Sequence, residues 1–256
     1  VSVTVSASGD GSVTTLTLDR PEKLNALDDS VRAALAAALS SLENAPEVRV
    51  VVLEGAGRAF SAGADLTGAY PDLDVDWATR RHRTSSWQRL LDQFGRIPQA
   101  TVARLHGHVI GGAALLAAAC DIRVAADDTV VRIPELAIGI PLTWAGVPLL
   151  VREIGLPLTR DWVMTGRAVD ADELLRSGFA QRVVPAAALD DAVGACVDDL
   201  VAMPAGPLAM TRALTSAIGR TTPAMVAGWA DPDLLAWSFR EPEGQQAARD
   251  YLDHRR

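Results

Sequence analysis

The stretch His106-Gly107-His108-Val109-Ile110-Gly111-Gly112-Ala113-Ala114-Leu115 reads as a strand that turns into a helix, and the helix continues to Cys120 in residues that are almost all small. Backbone N–H groups in the first turn of a helix have no intrahelical acceptor and favour negative charge. Gly111 and Gly112 leave the approach to those groups unobstructed. A helix packed tightly against a sheet would use the same residues, so alone this stretch admits both a ligand-facing and an architectural reading. Upstream, residues 48–53 form a buried-strand candidate running into a Gly/Ala-rich loop at 55–68, which contains Gly57-Arg58-Ala59-Phe60-Ser61-Ala62-Gly63-Ala64-Asp65-Leu66. No Gly-Lys-Ser/Thr follows, so this is not a P-loop. It is either a tight loop or a place where backbone approaches a ligand. Downstream, Arg132-Ile133-Pro134-Glu135-Leu136-Ala137-Ile138-Gly139-Ile140-Pro141 carries one carboxylate in an apolar setting. Burial raises a carboxyl pKa and would prepare Glu135 for proton transfer near neutrality. The alternative is a glutamate paired with Arg132 or Arg152.

The flanking chain fits an α/β protein. Residues 1–7 and 13–18 alternate apolar and polar around Gly9, Asp10 and Gly11, which predicts a hairpin. Asp28 or Asp29 can cap a helix reaching residue 44, residues 76–97 read as helical, and 101–105, 122–125 and 129–133 as short strands. From residue 145 helices dominate: 187–203, 207–218, 225–239 and 245–254, with one strand at 180–184. Asp170 followed by Glu173 has capping-box spacing. These patterns predict a core over 1–194 and a helical region over 195–256.

Composition narrows the function classes. Of 256 residues 49% are hydrophobic and 22% charged, which excludes disorder, and a net charge of −8 without a basic stripe points away from nucleic acid. Cys120 and Cys196 lie far apart, and the four histidines are scattered, so neither a disulfide framework nor a metal site is expected. The first residues lack the basic and apolar segments of a signal peptide. The longest unbroken apolar run, 109–120, is short of the ~20 residues that span a bilayer. A cytoplasmic protein without a membrane partner is therefore expected. No Gly-x-Ser-x-Gly surrounds Ser61, so serine hydrolysis lacks its turn. Lys23 is the only lysine.

Four segments in register decide between the readings. Arg20-Pro21-Glu22-Lys23-Leu24-Asn25-Ala26-Leu27, the loop at 57–66, the strand–helix at 106–126 and Pro134-Glu135 with its apolar sequel together resemble the crotonase (enoyl-CoA hydratase/isomerase) superfamily. The later Thr165-Gly166-Arg167, Ala171, Gly178 and Val183-Val184 are similar to that family too. The resemblance implies a spiral of ββα units with a helical C-terminal trimerisation region, hence a homotrimer or hexamer. It implies an acyl-CoA thioester substrate with coenzyme A as part of that substrate and no separate cofactor. It places an oxyanion hole at the backbone N–H groups of Ala64 and Gly112, and acyl-CoA contacts at Lys23, Leu24, Ala26, Ala62, Asp65, Leu66, Gly111, Leu115, Pro134 and Thr143. Arg20 could share the phosphate-facing role of Lys23, and Phe239 could approach a neighbouring subunit's adenine.

One position departs from the hydratase pattern. Hydratases of the family carry two glutamates, the first three residues after the oxyanion-hole glycine; here that position is Leu115, and only Glu135 remains. A single carboxylate can remove a proton from C2 of a 3-enoyl-CoA and return it at C4, so the resemblance implies a Δ3,Δ2-enoyl-CoA isomerase. The alternatives are a hydratase, or another crotonase reaction, with water held by Thr143 or His108, and a non-catalytic acyl-CoA-binding protein. A dehalogenase would need an aspartate where Leu142-Thr143-Trp144 stands. Residues 72–96 are expected to cover the acyl pocket, with Trp77, Trp87 and Trp144 as candidate lining or else core residues.

Overall fold

A computed structural model of the chain describes residues 2–66, 75–220 and 230–253. The hairpin forms as expected: β1 (Val3–Ala7) pairs antiparallel with β2 (Val13–Leu18). Asp28 caps α1 (Asp29–Leu42) by accepting the Val31 N–H at 2.9 Å. Next come β3 (Val50–Gly55), α2 (Trp77–Thr84), α3 (Ser86–Phe94), β4 (Ala100–Leu105), β5 (His108–Ile110), α4 (Gly112–Ala119), β6 (Ile122–Ala126) and β7 (Val130–Arg132). The strand expected at 48–53 starts two residues later, and the helix expected over 76–97 breaks at Ser85 into α2 and α3. The loop expected at 55–68 ends in residues 67 and 68, which lie outside the described residues, as do 72–74 of the expected pocket cover.

After β7 a short 3-10 turn (Glu135–Ile138) leads to α5 (Gly146–Thr165), interrupted at Gly155, where φ is +74°. There follow β8 (Ala168–Val169), α6 (Ala171–Arg176), β9 (Arg182–Val184), α7 (Leu189–Ala202), α8 (Ala205–Arg220), α9 (Asp231–Ser238) and α10 (Pro242–Asp253). Residues 225–229 of the helix expected at 225–239 lie outside the described residues, as does 254 of the last helix. The capping box at α6 is half made. Asp170 accepts the Glu173 N–H at 2.8 Å, but the Glu173 carboxylate turns to Arg167 and Trp162 instead of reaching back.

Six strands form one sheet in the order β1-β2-β3-β4-β6-β9, parallel after the first pair, and β5-β7-β8 form a second. Successive units β4-β5-α4 and β6-β7-α5 each give one strand to either sheet and then a helix, which is the expected α/β spiral of ββα units. Val50, Val51, Val52 and Leu53 are all buried because both faces of β3 are covered, a continuous apolar run typical of parallel sheets. One face packs Leu16, Leu18, Leu53, Ala103 and Leu105 with α1, α3 and α4; the other packs Val50, Val52, Val102 and Val124 with α7. Residues 194 and 195, the expected boundary, fall inside α7, whose Val193, Cys196 and Val197 lie on the sheet. The next helix, α8, begins at Ala205, and its buried Arg212 donates to Asp121 and to the Phe94 carbonyl. Among the described residues no single helix is long and apolar enough to cross a membrane.

Candidate active site

Three parallel chain segments converge at one end of the small sheet. Ser61 donates its N–H to the His108 carbonyl (3.0 Å) and accepts the Ile110 N–H (3.1 Å), a parallel bridge that sets Ser61 beside Val109. Ile110 in turn lies opposite Arg132, and Gly111 N–H donates to the Arg132 carbonyl at 2.8 Å. Ala64 and Gly112 are each three residues past the Ser61/Val109 pair, so the register itself carries them forward side by side. Glu135 is three residues past Arg132 on the third segment.

The two amides are left open for different reasons. Leu27 donates to the Gly63 carbonyl (2.8 Å) and accepts from Asp65 N–H (2.9 Å), which clamps the loop on both sides of Ala64 and turns the Ala64 N–H away from that bridge. Gly112 is the first residue of α4, where a helix has no internal acceptor. Neither N–H has an acceptor among the described residues. Gly63, with φ at +81°, packs so closely on the Ile110 carbonyl that any Cβ there would collide with it.

Asn25 and Ser61 hold this geometry. Asn25 is 1% exposed with φ at +56°, and its amide donates to the carbonyls of Ala56 (2.8 Å), Ala59 (2.9 Å) and Phe60 (3.2 Å) while its Oδ1 accepts Arg20 N–H at 2.9 Å. Ser61 Oγ donates to the Asn25 carbonyl (2.8 Å) and accepts Gly63 N–H (3.1 Å). Sequence reasoning quoted both residues and gave neither a positioning role; an asparagine and a serine beside small residues carry no local signal for contacts more than thirty residues away.

A cavity of about 830 Å³ opens over these segments. Of the residues named from the resemblance, Lys23, Ala62, Ala64, Asp65, Leu66, Gly111, Gly112, Leu115, Pro134, Glu135 and Thr143 line it. Leu24 and Ala26 do not. They support the loop through their carbonyls, which accept Ala62 N–H (2.8 Å) and the Arg20 guanidinium (2.7 Å). Lys23 is half exposed, 3.5 Å from Asp65, and the more buried Arg20 holds both Asp28 (2.8 Å) and Asp65 (3.2 Å). Arg80 and Arg83 of α2 also line the cavity and were not foreseen. Trp87 and Trp144 line it, whereas Trp77 is largely exposed and donates to Asp233 at 3.0 Å. His108 is exposed and does not line the cavity, so of the two residues expected as water holders only Thr143 is present. Phe239 lines the cavity of its own chain.

Glu135 is not paired with either arginine that the sequence offered. Arg132 donates to the Gly166 carbonyl (2.6 Å), and Arg152 to Glu153 (2.7 Å) and the Ala118 carbonyl (3.0 Å). The Glu135 carboxyl instead lies against Gly111, whose φ of +54° and missing Cβ make room for it. Its Oε2 is buried and has no hydrogen-bond partner among the described residues. Burial pushes the pKa up from 4.5 to about 7, opposed only in part by the residue's own backbone N–H. Leu115, 1% exposed, lies against Gly146 within the apolar core and lines the same cavity as Glu135, so its position in α4 contributes hydrocarbon to the site. Of the carboxylates that line the cavity among the described residues, Asp28, Asp29 and Asp65 are each engaged by an arginine, and Glu135 is not.

Comparison with known proteins agrees with this architecture. The family described as enoyl-CoA hydratase/isomerase matches residues 8–255. A probable enoyl-CoA hydratase of Mycobacterium bovis is 34% identical over 183 residues, 72% of this chain and 69% of its own length. One of Rhizobium meliloti is 34% identical over 186 residues, covering 72% and 70%. A crystal structure of an enoyl-CoA hydratase from Mycobacterium smegmatis superposes with a TM-score of 0.79 at 29% identity, over 100% of this chain and 98% of that one. One from Mycobacterium avium subsp. paratuberculosis reaches 0.87 at 24% identity over 99% and 96%, a likeness of fold.

Proposed function

The chain belongs to the enoyl-CoA hydratase/isomerase family of the crotonase superfamily, and we propose that within it the protein is a Δ3,Δ2-enoyl-CoA isomerase. The thioester carbonyl lies between the N–H groups of Ala64 and Gly112, and the Glu135 carboxylate removes a proton from C2. Negative charge gathers on the thioester oxygen, where two fixed donors in a water-poor site stabilise it; one such donor is worth on the order of 10²–10³ in rate. Neutral Glu135 then returns the proton at C4, and the double bond has moved. A pKa near 7 suits a group that must both take and give a proton around neutrality. No resident cofactor enters this sequence.

The observation that carries the reading is the contrast between Glu135 and Leu115. One wall offers an unpaired carboxyl, and the position where a second would stand is a leucine lying against Gly146. Hydration needs a water oriented for attack at C3, and a leucine cannot hold one; among the described residues the hydroxyls that line the cavity are those of Ser30, Thr84, Ser86 and Thr143, with no second carboxylate free to assist them. Hydration is nonetheless the second reading, favoured by the names of the relatives. A pure acyl-CoA binder would have no use for an unpaired buried carboxyl, since burying a charge costs stability. The test is a panel of trans-2- and cis- and trans-3-enoyl-CoAs of several lengths, each assayed for isomerisation and hydration. Isomerisation without comparable hydration is expected, and hydration alone would reverse the assignment.

Self-association belongs to the same proposal. Met210, Leu214 and Ile218 recur on one side of α8 and are each two-thirds or more exposed in the single chain. Such a stripe suits burial against another subunit, and a trimer or hexamer is expected in sedimentation.

A further inference from the structure

Trp144 stands where two cavities meet. Its backbone is left-handed (φ +63°), as is that of Ala145 (φ +57°), a conformation that bulky residues rarely adopt. The turn is held from outside, because the Asp231 carboxylate accepts Ala145 N–H at 2.7 Å. The conformation throws the indole back over the start of α4. It stacks on Trp87 with centroids 4.6 Å apart and planes 11° from parallel, and the far edge of its six-membered ring covers Gly112 so closely that a Cβ there would fall inside it. A second cavity of about 470 Å³ also reaches Trp144; Leu91, Ala119 and Leu149 form the apolar part of its wall, and Arg81, Arg89, Asp92 and Arg152 the charged part. Among the described residues Trp144 is the one that lines both cavities.

We propose that Trp144 is the specificity-determining stop of the acyl site: its indole ends the acyl channel next to the oxyanion-hole glycine, confines the protein to short acyl chains, and closes off a cavity able to take the methylenes of a longer one. Three observations meet on this residue. The ring occupies space within contact of Gly112, so a chain leaving the carbonyl on that side meets it at once. The strained turn and the Trp87 stack fix the ring in place. The second cavity that reaches it is already formed, so removing the indole joins two cavities instead of creating one.

The inference rests on the acyl-CoA reading of the site but not on isomerisation, and saturated acyl-CoAs separate the two because they bind without reacting. Calorimetry with butyryl-, hexanoyl-, decanoyl- and dodecanoyl-CoA should show wild-type affinity highest for the short chains and weaker for decanoyl and dodecanoyl. Trp144→Gly, a residue that accepts the left-handed turn, should reverse the order, with affinity rising up to about four-fold per added methylene until the second cavity is filled. Trp144→Phe should fall between. Wild-type affinity that climbs steadily from butyryl to dodecanoyl overturns the stop, whatever the variants do. A Trp144→Gly protein that binds with the wild-type length profile overturns the gated cavity. Failure of every acyl-CoA to bind wild type would remove the acyl-CoA reading and this inference with it.

Discussion

The two sides of the proposed reaction centre are made of different material. The loop through Ala64 and the first residue of α4, Gly112, contribute backbone N–H groups, while Glu135, Leu115 (from that same first turn) and Trp144 contribute side chains. The backbone side needs only the parallel register of Ser61 with Val109 and residues small enough not to block it. Many sequences can meet that demand, which fits the superposition of this chain on a structure only 29% identical to it. The side-chain side is decided by single positions. On the reading proposed above, a leucine in place of a carboxylate at position 115 leaves the frame unchanged and alters which proton and oxygen transfers can occur. Family membership is therefore written in the backbone side and the particular reaction in the other.

Substitutions on the two sides should fail in different ways. The largest effect is expected from Glu135→Gln. The amide is nearly isosteric but cannot accept a proton, and because one group acts in both transfers the loss should approach the upper end of the ~10²–10⁴-fold typical of general acid–base catalysis. It should fall on kcat, with acyl-CoA affinity by calorimetry changed by less than about three-fold, since only a transition-state interaction is removed. Gly112→Ala on the backbone side comes next. The new methyl must displace the Trp144 ring or shift the amide, and loss of one aimed donor should lower kcat by about 10²–10³-fold. If the ring is the obstacle, adding Trp144→Gly should recover part of that loss; no recovery would place the damage in the backbone.

The titration of Glu135 gives a smaller effect with a definite sign. The base must be ionised to start the reaction, so kcat/KM should rise about ten-fold per pH unit below about 7 and level off above it. Stability moves the opposite way. The folded pKa of about 7 lies above the ordinary 4.5, so the unfolded chain ionises first, and this group's cost is absent below about 4.5, grows through 7 and then saturates. Glu135→Gln should be close to wild type in urea melts at acid pH and gain up to about 3 kcal/mol above neutrality. Equal stability at both pH values would mean that Glu135 is compensated in solution. The smallest effect belongs to Lys23→Ala. An exposed ion pair is worth about 0–1 kcal/mol, and Arg20 already holds Asp65, so acyl-CoA affinity should weaken by no more than about five-fold.

The frame was the more legible half of the molecule. Alternation in β1 and β2, the Asp28 cap of α1 and the small residues of α4 are local patterns and formed where expected. The break at Ser85 was not, since the amphipathic pattern runs across it without a glycine or proline. Around the site, Ala64, Gly112 and Glu135 could be placed because each sits in a recognisable stretch. That Glu135 is unpaired could not be seen, because it depends on where Arg132 finds its acceptor, the carbonyl of Gly166 at the end of α5. The position of Trp144 was equally hidden. It follows from two consecutive left-handed residues, an anchor from Asp231 and a stacking partner in α3, none of them near it in sequence except Ala145.

One measurement bears most directly on the division between the two sides. Wild-type protein is given a short 3-enoyl-CoA and, in a parallel reaction, the matching trans-2-enoyl-CoA, both in water enriched in the heavy oxygen isotope, and the products are weighed by mass spectrometry. A single base without a second carboxylate should turn the 3-enoyl-CoA into the 2-enoyl-CoA with no heavy oxygen and yield little 3-hydroxyacyl-CoA from either substrate. Accumulation of 3-hydroxyacyl-CoA carrying the heavy oxygen from the 2-enoyl-CoA, faster than the 3-enoyl-CoA is isomerised, would show that the site positions water without a second carboxylate and would contradict the account.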